Sequence, residues 1–502
     1  MYDLIIKNGT IIDGSGSEGY ISDIAISEGK ITLIAENINA DAKKIIDAKG
    51  LTVTPGFIDS HSHSDTTVFD FPESIEKIEQ GITTSLGGQC GITPAPSGKG
   101  ITKTFGTMAK FLEDKPLGSN LKTFVGHGSL RSTTVGYENR KPTKEEMDEM
   151  KTLLRDALEN GAVGLSFGLI YTPSCYAETE ELIELAKVVK EYNGLLSAHI
   201  RNEGFELIES VEEFLKVIKE SGVRAVFSHH KSMYQPNWGK VDKSLELIQN
   251  AIDEGYDIYL DVYPYEASST GLSTTVIAKE LRDTDKAGIV KLMEDAEMRK
   301  KIKDIYISKM GDSLENLLLV GCKGFKEYEG MRISEIAKER GQDDFDAAFD
   351  LIARDPSASI CNFSISEDDL EKVLKFDRTM IGTDGSVAGD KAVYHPRTRG
   401  TFPRFFGRYV REKGVMPLSE AVRRATSLPA YVYNLSGKGL IKEGYDADIC
   451  IFDWEKFIDR ADYINCHERC EGLNFVILGG EVAAENAIYN GCKTGKFIPE
   501  ER

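Results

Sequence analysis

The stretch Pro55-Gly56-Phe57-Ile58-Asp59-Ser60-His61-Ser62-His63-Ser64-Asp65 sets two imidazoles two residues apart at the end of an apolar run. Thr52, Val53, Phe57 and Ile58 are strand formers, and Pro55-Gly56 lets the chain turn inward. Side chains on a strand repeat with a period of two, so His61 and His63 aim at one point in space. Two neutral imidazoles converging there begin a divalent-metal site. Taken alone, the pair is equally well read as polar residues closing a strand. The rest of the chain decides between these readings.

Outward from this strand, short apolar runs alternate with amphipathic helices. Thr143-Lys144-Glu145-Glu146 is a capping box, followed by one apolar face of Met147, Met150, Leu154, Ala157 and Leu158. Leu207, Ile208, Val211, Phe214, Leu215 and Ile218 form a second such face, and Leu245, Ile248 and Ile252 a third. Strands are predicted at 56–61, 82–90, 121–127, 162–168, 195–199, 223–229, 256–263 and 379–384. Eight strands each followed by a helix predict an α/β fold, a (β/α)8 TIM-like barrel over 55–435. In such a barrel chemistry sits at the C-terminal strand ends, and a His, Cys, Tyr or Asp lies at or just beyond nearly every one. The connection between Thr270 and Arg378 is too long for one βα unit, which predicts an inserted subdomain at 286–348, after the seventh strand. The alternative is that 359–364 is itself a barrel strand. Residues 2–54 alternate β-rich runs with Gly/Ser/Asp turns, and 444–453 and 474–482 repeat that pattern. Together they predict a small β-sandwich domain built from both termini, 1–54 plus 436–502.

The 502 residues include 41% hydrophobic ones, ample for a large core. With 61 Lys plus Arg against 81 Asp plus Glu, the net charge of −20 disfavours a nucleic-acid or anionic-membrane partner. An anionic small molecule then needs local cations in its pocket. Met1 to Gly9 reads as a short strand and turn without the features of a signal peptide, and no apolar run reaches the roughly 18 residues of a membrane span. A soluble, cytoplasmic protein is expected. The eight cysteines are scattered and do not form a disulfide framework. Cys466-His467-Glu468-Arg469-Cys470 has the look of half a metal site without a second half, and reads as loop thiols.

Further candidate ligands lie at other strand ends. Cys90 sits in Gly87-Gly88-Gln89-Cys90-Gly91, where glycines permit close backbone approach. His199 and His229 each end an apolar run, and Asp384 ends the last strand in Gly382-Thr383-Asp384-Gly385. Each alone is an ordinary packing, strand-end or turn residue. Jointly, Cys90, His199 and His229 supply a thiolate and two imidazoles, a tetrahedral set suited to zinc with one position open for water. Asp384 would then accept the water's proton and return it to a leaving amine.

With these residues in place the chain resembles the amidohydrolase superfamily, and within it the N-acyl-D-amino-acid deacylases. The resemblance runs through the Gly56 to Asp65 block, the Cys90-Gly91 block with its Pro94-Ala95-Pro96, and Gly126-His127-Gly128-Ser129-Leu130-Arg131. It continues through Gly164 to Tyr171, Ser228-His229-His230-Lys231, Tyr263-Pro264-Tyr265 and Ile381 to Gly385. It implies zinc-dependent hydrolysis of N-acyl-D-amino acids to a carboxylate and a free D-amino acid. By the same resemblance Cys90, His199 and His229 hold a tight zinc, while His61, His63 and Asp384 line a neighbouring position for a second, weaker metal or none. Lys231, Tyr263 and Ser269 would receive the substrate α-carboxylate, with Tyr171 and Arg201 lining the pocket. Gln89 stands where relatives usually have Asn, and Cys466 to Arg469 interrupts the usual C-terminal pattern. The competing readings are a cyclic-amide hydrolase or dipeptidase of the same superfamily, which typically bridges two metals with a carboxylated lysine, and a non-catalytic barrel that has lost its metal.

Overall fold

The computed structural model describes residues 1–387 and 393–499. Eight parallel strands follow one another around a closed barrel: Phe57–Asp59, Ile82–Gly87, Asn120–Thr123 continued by Val125–Gly126, Gly164–Gly168, Leu195–His199, Arg224–Phe227, Ile258–Val262 and Thr379–Ile381. At the interruption in the third strand, Phe124 N–H donates to Gly87 O and Val163 N–H to Thr123 O, so the ladder carries across it. Closure is made where Ser60 N–H donates to Ile381 O and Asp384 N–H to His61 O at 2.7 Å. The eight strands expected from the sequence are all present; Leu195–His199 matches its expected range, and most of the others are shorter than theirs.

The helices form where capping and periodicity place them. Thr143 Oγ1 accepts from Glu146 N–H, and the Glu146 carboxylate accepts from Thr143 N–H at 2.7 Å, starting Lys144–Glu159. That helix buries Met150, Leu154, Ala157 and Leu158. Leu207–Ser221 stops at Gly222, whose φ of 66° is left-handed. The barrel floor is filled by Ile58, Leu86, Phe124, Val226 and Met380 from the strands, plugged by Leu428, Val432 and Tyr433 from below. Polar strand-end residues are therefore left to the opposite, C-terminal mouth.

Between the seventh and eighth strands the chain builds its own antiparallel sheet, in the order Ala267–Gly271, Ser359–Phe363, Leu317–Gly321. Lys286–Glu294, Ala296–Met310, Ile333–Arg340 and Asp344–Arg354 accompany it, over a separate core that includes Leu272, Leu319, Phe345, Phe349 and Ile360. These elements reach further on both sides than 286–348, and the run at 359–364 is the central strand of this sheet, not a barrel strand. A short apolar run looks the same in either sheet, and only the pairing of Thr379–Ile381 with Ile258–Val262 separates the two.

A nine-stranded sheet unites the chain ends. Thr52–Pro55 lies between them, parallel to Tyr2–Ile11 and antiparallel to Ile449–Phe452. It leads within two residues into the first barrel strand, so the terminal sheet is fixed against the barrel by continuous backbone. Among the described residues no helix is long and apolar enough to cross a membrane.

Candidate metal centre

Six donors meet at the barrel mouth in two sets. His61, His63, Cys90 and Asp384 form one, and Cys90, His199 and His229 the other, with the ligand atoms of each set within 4.8 Å of one another. Cys90 Sγ belongs to both. It lies 3.3 Å from His61 Nε2, 3.4 Å from His229 Nε2 and 3.9 Å from His199 Nδ1. His63 Nε2 is 3.0 Å from Asp384 Oδ1. A buried thiol among imidazoles, with an aspartate facing them, is a donor set that suits zinc.

The backbone is bent to aim these groups. Cys90, His229 and Asp384 have φ of 54°, 35° and 48°, a left-handed conformation rare outside glycine and asparagine. Around Cys90 the chain passes so close to its neighbours that a Cβ on Gly88 would lie 2.4 Å from Phe124 O, and one on Gly91 2.7 Å from Gly168 N. Glycine is required at both.

Buried carboxylates orient the imidazoles. Asp261, on the seventh strand, lies 3.0 Å from His61 Nδ1 and accepts from His229 N–H at 2.7 Å. Glu203 lies 3.0 Å from His229 Nδ1. Each turns a ring so that Nε2 faces Cys90, and a carboxylate behind a ligating imidazole fixes its tautomer and raises its basicity. Burial alone would raise the Cys90 thiol, but His61 and His229 beside it hold it well below its usual value. Burial likewise opposes charge on Asp384, and Arg397, 2.8 Å from Oδ2, is the leading cause that holds its carboxyl well below the usual range.

The eighth strand is locked to the first by a fully buried cluster. Lys77 Nζ donates to Asp59 Oδ2 at 2.8 Å, to Thr383 Oγ1 at 2.7 Å and to Gly385 O at 3.1 Å. Lys77 thereby grips the residues on both sides of Asp384.

The residues expected around a substrate are placed differently from one another. Tyr171 lies edge-on to His199, with ring centroids 5.1 Å apart, and its hydroxyl is 3.4 Å from Thr270 Oγ1. Tyr263 is buried with its hydroxyl unpartnered among the described residues, under the Arg397 guanidinium at 4.7 Å. Ser269 is half-buried on the first strand of the insertion, beside Tyr171's partner Thr270. Lys231 Nζ is engaged by Glu203 Oε1 at 2.6 Å, His229 Nδ1 at 2.9 Å and His229 O at 3.0 Å. Arg201 is not brought to the centre: its guanidinium is spent on Glu213 and on the carbonyls of Cys175 and Ala177. It holds the loop that follows Tyr171. Cys466 and Cys470 lie apart from both donor sets, Cys470 Sγ donating to Glu79 O. Sequence reasoning missed Asp261, Glu203 and Arg397. An aspartate inside the apolar run 256–263 was a signal for the first, and the spacing His199-x-x-x-Glu203 one for the second. Arg397 left only a basic cluster in an acidic chain.

A closed parallel barrel whose mouth gathers a low-pKa thiol, four imidazoles and a charged aspartate defines a barrel hydrolase of the metal-dependent class. The model of the amidohydrolase family matches residues 44–484, and the chain belongs to that family. It is 32% identical to D-aminoacylase of Alcaligenes xylosoxydans xylosoxydans over 99% of this chain and 97% of that one. N-acyl-D-glutamate deacylase of the same organism is 33% identical, over 95% of this chain and 93% of its own. The crystal structure of N-acyl-D-glutamate deacylase from Bordetella bronchiseptica, complexed with zinc and a phosphonate mimic of the reaction's tetrahedral intermediate, superposes with a TM-score of 0.85 at 30% identity and 99% coverage of both chains.

Proposed function

We propose that the protein hydrolyses the amide bond of N-acyl-D-amino acids, releasing a carboxylate and a free D-amino acid, with zinc at the Cys90 centre. The observation that carries this reading is the position of Cys90 Sγ, common to both donor sets. A thiol there stands where the cyclic-amide reading calls for a carboxylated lysine. Cys90, His199 and His229 would hold the tight zinc, with His61, His63 and Asp384 around a weaker neighbouring position. Bound there, zinc would polarise the amide carbonyl and bring the ionisation of water towards neutral pH.

The chain's own groups divide the remaining work. Arg397 holds Asp384 Oδ2, which leaves Oδ1, turned towards His63 and His61, as the oxygen that takes a proton from water and returns it to the leaving amine. The α-carboxylate is received by the Tyr263 hydroxyl, unpartnered among the described residues, with Lys231 Nζ 5.7 Å from that ring, and by Ser269 on the first strand of the insertion. Lys231 shares its charge with Glu203, and Arg397 over the Tyr263 ring adds a second cation. Tyr171 forms one wall, and Arg201 acts at one remove by holding the loop behind it. The eight cysteines form no disulfide among the described residues, which supports a reducing compartment, and we place the protein in the cytoplasm with a small anionic N-acyl amino acid as its partner.

The test is amine release from paired N-acetyl-D- and N-acetyl-L-amino acids by the zinc-loaded enzyme. The D series is cleaved, the L series is at least about a hundredfold poorer, and esterifying the α-carboxylate raises KM. Equal rates on both enantiomers, or indifference to the α-carboxylate, would overturn the reading.

A further inference from the structure

Among the described residues, Arg282 is a buried cation with no carboxylate at ion-pair distance. Lys77, Arg131, Lys231, Arg397, Arg399 and Arg424 are also buried, and each lies within ion-pair distance of a carboxylate. Arg282 is 7% exposed; among the described residues its Nε is buried with no partner and its guanidinium donates to Ile170 O, at 3.4 Å, and to no other acceptor. A guanidinium in this position has lost its water and gained almost nothing for it, which is unfavourable unless an anion completes the site. A chain of net charge −20 has carboxylates to spare, yet among the described residues none pairs with it, and Glu280, two residues back, acts on it only from beyond ion-pair distance.

The location ties this cation to the metal centre. Arg282 follows the short helical turn Lys279–Leu281 in the insertion, and its carbonyl accepts from Thr172 Oγ1. The carbonyl it touches is Ile170's, one residue before Tyr171, whose ring packs against His199 and whose hydroxyl meets Thr270. Ser269 precedes Thr270 on the same strand. The insertion and the Tyr171 loop thus meet beside His199, and Arg282 lies in that seam.

We propose that Arg282 receives a second carboxylate of the substrate, so that the preferred N-acyl-D-amino acid is a dianion. The inference rests on the deacylase reading and adds the substrate's charge class. Two sources share this chemistry: an acidic side chain, as in aspartate or glutamate, and a dicarboxylic acyl group such as succinyl. Either is a carboxylate on a short flexible arm. Lys231 and Arg397 are largely neutralised by Glu203 and Asp384. Arg282 is the cation still able to balance an added negative charge.

The experiment compares kcat/KM on N-acetyl-D-glutamate, its neutral isostere N-acetyl-D-glutamine, N-acetyl-D-leucine and N-succinyl-D-leucine, for wild type, Arg282→Gln and Arg282→Lys. Wild type favours at least one dianion over its neutral counterpart by about tenfold or more, because a site built for a polar group is left unpaired by the analogue without it. Arg282→Gln brings that ratio towards one, and Arg282→Lys restores part of it. Neutral substrates favoured by wild type, or a ratio unmoved in Arg282→Gln, would overturn the proposal, as would an equal loss on every substrate, which marks a structural role. If no N-acyl-D-amino acid is turned over, the deacylase reading has failed, and the anion site is then read without turnover: glutarate or succinate raises the Tm of wild type but not of Arg282→Gln. Absence of that difference overturns the anion site itself.

Discussion

Replacing Asp384 with asparagine separates proton transfer from binding with little change of shape. The carboxylate has two working sides: Oδ2 pairs with Arg397 at 2.8 Å, and Oδ1 faces His63 at 3.0 Å and His61 at 3.5 Å. An amide keeps one oxygen, so Arg397 retains an acceptor but loses a charge, a destabilisation of about 1–3 kcal/mol. The catalytic effect is larger. An amide cannot carry the proton, and losing a positioned general base costs about 10²–10⁴ in kcat, roughly 3–5 kcal/mol of barrier. The expected variant is folded, holds zinc through Cys90, His199 and His229, and binds substrate with a KM near that of wild type. Urea unfolding, metal analysis and amine release on the same preparation read the three quantities. Wild-type turnover in Asp384→Asn would remove this residue from the mechanism, and loss of the zinc would make it a primary ligand.

Three further outcomes are expected. Cys90→Ala removes the donor common to both sets and purifies with far less than one equivalent of zinc; near-stoichiometric metal would show that the thiol only packs. Lys77→Met leaves Asp59 buried without its cation and lowers unfolding stability by about 3–5 kcal/mol, with kcat falling because Thr383 and Gly385 no longer hold Asp384; a change under about 1 kcal/mol would contradict the clamp. His395 donates through Nε2 to Ala267 O and accepts from Arg397 N–H at Nδ1, so the fold needs its neutral ring, and burial followed by nearby Arg397 pushes its pKa well below the usual histidine value. Its folded pKa lies below its unfolded value of about 6.5, so its contribution is complete above that pH and shrinks progressively as pH falls below it. His395→Gln should flatten the acid limb of a stability–pH curve between about 6.5 and 4.5, and an unchanged limb would count against the argument.

The sequence by itself determined the eight barrel strands and the capped helices between them and pointed to the six candidate donors that the barrel mouth brings together, because each of these is written in local spacing. A period of two aims His61 and His63 together, capping residues start helices, and glycines around Cys90 announce a close approach. The tertiary structure alone decided what the donors lean on. Asp261 comes from the seventh strand, Glu203 from the segment after the fifth and Arg397 from the segment after the eighth, and their roles depend on distances that no sequence interval encodes. It also decided that Arg201 turns away to Glu213 and that 359–363 pairs within the insertion, since an arginine near a strand end can swing either way and a short apolar run fits either sheet. Pairing partners are chosen by packing over the whole chain. Arg282 lies furthest from any sequence signal, because a buried Nε left without a partner among the described residues is visible only in three dimensions.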